Sequence, residues 1–71
     1  MKGITIKQDI VLEAVKYFIK ENGFSPTITE LKGILDYSSA NSVVNFLTAL
    51  ERKGYIKRTP NKARSIVILQ A

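Results

Sequence analysis

The stretch Ser38 to Gly54, SSANSVVNFLTALERKG, constrains the fold most, because both its ends are marked and the hydrophobic period changes where it stops. Ser39 suits a helix N-cap, its hydroxyl accepting one of the orphan amides of the first turn, and Gly54 suits the left-handed residue after the last turn. Between them Val43, Phe46, Leu47 and Leu50 recur at spacings of three and four. At about 100° per residue they share one face, which must be buried. Half a turn away, Asn41, Asn45, Thr48 and Arg52 form an outward stripe flanked by Ser42 and Val44. After Gly54 the period falls to two. Tyr55-Ile56-Lys57-Arg58 and Ser65-Ile66-Val67-Ile68-Leu69 are rich in β-branched residues, and the basic, turn-like segment Thr59-Pro60-Asn61-Lys62-Ala63-Arg64 joins them. This pattern predicts a helix over 40–53 and a β-hairpin with strands at 55–58 and 65–69.

Upstream, Thr5-Ile6-Lys7-Gln8 has the form of a capping box and opens a helix predicted over 6–22. Ile10, Val11, Ala14, Val15, Phe18 and Ile19 are its expected apolar face, and Gly23 its stop. Phe24-Ser25-Pro26 reads as a connector, since proline lacks an amide donor and biases Ser25 toward extended conformations. Thr27-Ile28-Thr29-Glu30 is a second capping box, opening a short helix over 28–35 with Leu31, Ile34 and Leu35 as its expected buried positions. Asp36-Tyr37-Ser38 then separates two helices by the short turn of a helix-turn-helix. Three helices followed by a two-stranded hairpin with a basic tip give an α+β, mainly α, winged helix-turn-helix. The hairpin must pack on the helices, because two strands alone are marginal.

With 71 residues the chain is one domain with a modest core. It contains no cysteine, which excludes disulfides and thiolate metal sites and fits a reducing, cytoplasmic setting. No apolar run approaches the roughly 18 residues of a membrane span, and no signal peptide opens the chain. With no His and no Cys, and with acids placed singly, there is no nucleophile and base pair and no metal cluster. Neither an enzyme, nor a cofactor, nor a small-molecule ligand is therefore expected. The net charge is +5, and residues 1–50 are balanced, so the whole excess lies in residues 51–71, where Arg52, Lys53, Lys57, Arg58, Lys62 and Arg64 face Glu51 alone. A local basic surface attracts polyanions, although lysine-rich surfaces also occur as plain solvated faces.

Taken together, Met1-Lys2, Thr5, Gln8, Gly23-Phe24-Ser25-Pro26-Thr27, Glu30, Ser39, Asn41 and Leu47-Thr48-Ala49-Leu50-Glu51-Arg52-Lys53-Gly54-Tyr55-Ile56 resemble the N-terminal DNA-binding domain of the LexA repressor family. The similarity runs without gaps through Lys62-Ala63-Arg64-Ser65-Ile66-Val67-Ile68-Leu69, which is similar to the family's wing. The resemblance implies a repressor of the SOS-response type whose third helix enters the major groove of a double-stranded operator. By the same resemblance, Ser39, Asn41, Ser42, Val44 and Asn45 read bases, while the wing and the start of the first helix hold phosphates through Lys7 and Arg64. Family members often carry Pro, Glu or His along this helix, where this chain has Ala40, Val44, Asn45 and Phe46, so an operator sequence is not carried over. Asp36 stands where a glycine usually closes the second helix, and a left-handed aspartate is expected there. The family continues into a second domain that dimerises and cleaves its own linker. Neither property is carried over to these residues, and a monomer that pairs only on DNA half-sites is expected.

The residues support the same reading without the family. Asparagine bonds bidentately to adenine N6 and N7, which suits Asn41 and Asn45, one turn apart. Their bland alternatives are assistance to the cap and exposure to water. Thr48, Arg52 and Lys53 suit phosphates beside the groove, and Arg52 and Lys53 equally complement the helix dipole. Lys62 and Arg64 are expected to meet phosphate from a projecting tip without nearby acids. Tyr37 and Tyr55 are expected at the edge of the core. The alternative function is a protein-interaction module, which would present exposed aromatic or aliphatic anchors instead of a polar stripe.

Overall fold

A computed structural model describes residues 3–69, so Met1 and Lys2, which share in the resemblance, lie outside the described residues. Three helices, α1 (Ile6–Asn22), α2 (Ile28–Leu35) and α3 (Ala40–Arg52), precede a hairpin of β1 (Ile56–Lys57) and β2 (Val67–Ile68). The architecture is a winged helix-turn-helix. No helix among the described residues is long and apolar enough to cross a membrane.

Local chemistry sets the helix ends. Thr5 Oγ1 accepts the Gln8 amide and Gln8 Oε1 accepts the Thr5 amide, both at 3.1 Å. At α2 the same reciprocal pair joins Thr27 and Glu30 at 3.1 and 2.9 Å. Each box satisfies two amides that would otherwise lack a helical partner. Asp36 closes α2 in the left-handed region at φ 58° and ψ 42°, with its amide on Gly33 O and the Tyr37 amide on Lys32 O. That is a Schellman closure, which glycine usually provides. Gly54 repeats it after α3 at φ 85°, with the Tyr55 amide on Leu50 O at 3.0 Å. Lys53, expected as the last helical residue, is instead the C-cap.

The core joins Val11, Leu12 and Val15 of α1, Leu31 of α2, and Val43, Leu47 and Leu50 of α3 to Ile56 and Ile66. Three expected core residues are corrected. Ile10 is 51% exposed and Leu12 is buried in its place. Val11 and Val15 leave the choice of flank open; Leu12 lies on the flank that faces the other helices, and Ile10 lies on the other. Ile34 is 54% exposed because Ile28, Leu31 and Leu35 carry the packed side of α2. It stands about 60° past Leu31 on the side away from the other two. Phe46 is half-buried rather than buried, and stacks on Tyr37 with ring centroids 5.8 Å apart. Tyr37 and Tyr55 pack at the margin of the core.

The wing is shorter than the period-two pattern predicts. It pairs Ile56 with Ile68 and Lys57 with Val67, and one further bond runs from the Leu69 amide to Tyr55 O at 2.9 Å. Side chains take three amides at and beyond the strand ends, of which only the Thr59 amide faces the partner strand and would continue the ladder. The Arg58 amide donates to Glu51 Oε2, the Thr59 amide to Ser65 Oγ and the Ile66 amide to Ser25 Oγ. The Ser65 hydroxyl in turn lies 2.9 Å from Lys62 O and 3.2 Å from Thr59 O, which knots the connecting loop on itself.

Candidate nucleic-acid interface

The outward side of α3 follows from its packing. Burying Val43, Leu47 and Leu50 exposes Asn41, Asn45 and Arg52 and leaves Ser42, Val44 and Thr48 half-exposed. Ser39 Oγ accepts the Asn41 amide at 3.1 Å, so the cap is made by Ser39 and uses only the backbone of Asn41. The side-chain amides of Asn41 and Asn45 have no partner among the described residues, which leaves each with a donor and an acceptor facing outward.

Around this stripe the cations fall into two groups. Lys7, Arg52, Lys57 and Lys62 are exposed and form no ion pair among the described residues. Lys53 donates to the neutral Gln8 Oε1 at 2.7 Å and so keeps its charge. The two hairpin arginines differ. Arg58 Nη2 donates to Thr48 Oγ1 at 3.3 Å, and its Nε lies 3.5 Å from Glu51 Oε1 without hydrogen-bond geometry. Thr48 is therefore engaged by the wing from behind. The sequence marks Arg58 only as one of the C-terminal cations and gives it no site role, although strand alternation from buried Ile56 turns it toward α3, where Glu51 is the single acid of the C-terminal segment.

Arg64 corrects the expectation of a projecting tip without nearby acids. Its Nη1 and Nη2 meet Glu30 Oε1 and Oε2, each at 2.9 Å, and Nη1 also donates to Ser25 O at 3.1 Å. The guanidinium carbon lies 4.7 Å from the centroid of the Phe24 ring. Glu30 is held below the ordinary carboxylate value, first by its hydrogen bond from Arg64 and then by the Thr27 amide. The sequence hides this pair because its members stand 34 positions apart. Of the two tip cations singled out, only Lys62 forms no ion pair among the described residues.

The fold, the polar stripe and the flanking cations are features that a nucleic-acid-binding surface requires. Residues 1–65 match the family described as LexA DNA binding domain. The chain belongs to this family. It is 43% identical over 67 residues to the LexA repressor of Anaeromyxobacter dehalogenans, covering 94% of this chain and 29% of that protein. The LexA repressor of Caldicellulosiruptor saccharolyticus is 43% identical over 68 residues, covering 96% and 34% of the two chains. LexA repressor 2 of Nocardia farcinica is 40% identical over 63 residues, covering 89% and 26%. The chain thus spans about a third or less of the length of these relatives. The matched family model is that of a DNA-binding domain.

Proposed function

We propose that this chain is the operator-binding part of a LexA-like transcriptional repressor, which reads the major groove of double-stranded DNA with α3 and represses by occupying the site. The observation that carries this reading is the pair of unpartnered asparagine amides, one turn apart on the exposed side of a capped helix. Ser39, Asn41, Ser42, Val44 and Asn45 face base edges. Their hydroxyls and amides supply hydrogen bonds, and Val44 supplies an apolar contact of the kind that suits a thymine methyl. Lys7, Arg52, Lys53 and Lys62 meet phosphates, and Thr48 offers its hydroxyl beside them. Arg64 is left out of this set, because its charge is already met by Glu30.

Selection of bound duplexes from a random pool tests the proposal. An enriched motif is expected, with a two-fold repeat about one helical turn apart if two copies occupy half-sites. No enrichment would remove operator reading. Off DNA the chain is a monomer, and sedimentation at micromolar concentration checks that.

The protein-interaction reading draws on a different surface. Ile6, Ile10 and Tyr17 are 82%, 51% and 66% exposed and share one side of α1. A stable dimer without DNA would assign this side to self-association.

A further inference from the structure

The wing carries two arginines, and Arg64 has the denser set of contacts. It is bound to the start of α2 through both oxygens of Glu30, to the α1–α2 connector through Ser25 O, and to the ring of Phe24. Phe24 rests edge-on against Phe18 of α1, with centroids 5.9 Å apart. Two residues beyond Arg64, the buried amide of Ile66 donates to Ser25 Oγ at 3.3 Å. Arg64 itself sits at φ 55°, a backbone region that costs a residue with a Cβ some energy and persists where side-chain contacts hold it. A cleft of about 480 Å³ lies between the wing loop and the first turn of α2, with Arg64 in its lining.

We infer that Arg64 is a positioning residue for DNA binding, clamping the wing to the helix-turn-helix through Glu30 and Ser25 so that Lys62 and α3 meet one duplex in fixed relation. The inference rests on the reading of this chain as a DNA-binding domain and departs from the expectation that Arg64 contacts phosphate. In a helix-turn-helix the first helix of the pair crosses the DNA backbone while the second enters the groove. A wing tied to the start of that first helix is thereby tied to the footprint as a whole. The hairpin has two paired positions per strand, too few to hold its own angle. Without the clamp, the loop would have to be ordered at the moment of binding, and affinity would fall by that cost. Glu30 has a dual role, since the oxygen that accepts Arg64 Nη1 also accepts the Thr27 amide.

Glu30→Gln separates a positioning role from a phosphate contact. Glutamine is accepted in a capping box, so α2 keeps its start while the charged, two-pronged bond to Arg64 is lost. If Arg64 positions the wing, E30Q binds DNA roughly three- to tenfold more weakly despite its added positive charge, the size expected for ordering one or two side chains on binding. Its salt slope matches the parent. R64A shows the same loss and the same slope, R64K fails to rescue it, and the double variant is no worse than either single one. If Arg64 instead meets phosphate, E30Q binds more tightly with a steeper slope and R64A makes the slope shallower by about 0.9. Either of those results overturns the inference, as does unchanged affinity in both variants. Hydrogen exchange in the free protein gives a reading that needs no DNA. The Ile66 amide should lose protection in E30Q and R64A while the amides of Leu47 and Leu50 keep theirs. Unchanged protection at Ile66 overturns the clamp even if the protein binds no duplex, whereas failure to bind any duplex with Ile66 deprotected overturns the operator reading alone.

Discussion

Lys53 Nζ lies 2.7 Å from Gln8 Oε1, the oxygen that also accepts the Thr5 amide at 3.1 Å. The cap that ends α3 thus touches the cap that begins α1. Lys53 complements the negative end of its own helix and at the same time stands over the positive end of another. Its acceptor is neutral, so the ammonium keeps its full charge. With exposed Lys7 in the first turn of α1, this end of the molecule sets two cations beside the positive pole of a helix.

On the proposed reading, Lys53→Met and Lys62→Ala each remove one phosphate contact. Each neutralised phosphate contributes about −0.9 to the slope of log K against log salt, so each variant should be shallower by about that amount and the pair by about twice it. Affinity falls alike on every sequence, and discrimination between sites survives. Titrations at four salt concentrations would show it. An unchanged slope for Lys62→Ala would mean that the wing tip does not reach the backbone.

Asn45→Ala tests the other kind of contact. Loss of a bidentate base contact should cost roughly 1 to 3 kcal/mol on the preferred site and almost nothing on random duplex. Specificity relaxes at one base step. Equal losses on the two duplexes, measured at one salt concentration, would show that Asn45 does not read a base.

The helix ends were legible because their chemistry is local. Thr5 with Gln8, and Thr27 with Glu30, are three residues apart, so each capping box is written in four letters. Asp36 in the left-handed region follows from position and residue type in the same way. The exposure of Asn41 and Asn45 follows from periodicity once the buried side of α3 is known. What the sequence concealed depends on distant partners. Glu30 has no local sign that Arg64 will return to it, and the choice of Leu12 over Ile10 is made by the direction from which the other helices pack. The short strands have the same origin, since Ser65 takes the Thr59 amide that would continue the ladder, while Glu51 and Ser25 hold the outward Arg58 and Ile66 amides at its end.

The Glu30–Arg64 pair gives stability a pH dependence of known sign. Glu30 is lowered in the folded protein, chiefly by the Arg64 hydrogen bond, relative to an ordinary value of 4.5. The unfolded chain therefore binds this proton more readily, so the contribution of the pair is complete above that value and is lost as pH falls below it through the folded value. The melting temperature of the wild type should drop over that acid range more than that of R64A. Parallel curves for the two proteins would show that the pair adds nothing to folding, as exposed pairs often do.

The last prediction tests which side of α2 is packed, and with it the seat of the helix-turn-helix. Leu47 of α3 has no exposed surface, so Leu47→Ala empties a site walled by all three helices and should cost about 2 to 5 kcal/mol. For a domain this small that is a large part of the roughly 5 to 15 kcal/mol available, and the variant should unfold at much lower denaturant. Ile34→Ala removes a side chain that is more than half exposed, and alanine also has the higher helix propensity. Its effect should stay within about 0.5 kcal/mol, as for a surface position. Urea unfolding of the two variants beside the wild type gives both numbers. A cost for Ile34→Ala as large as that for Leu47→Ala would mean that α2 is turned about its axis relative to this structure. The wing clamp would then have to be redrawn, since Glu30 sits on the same helix.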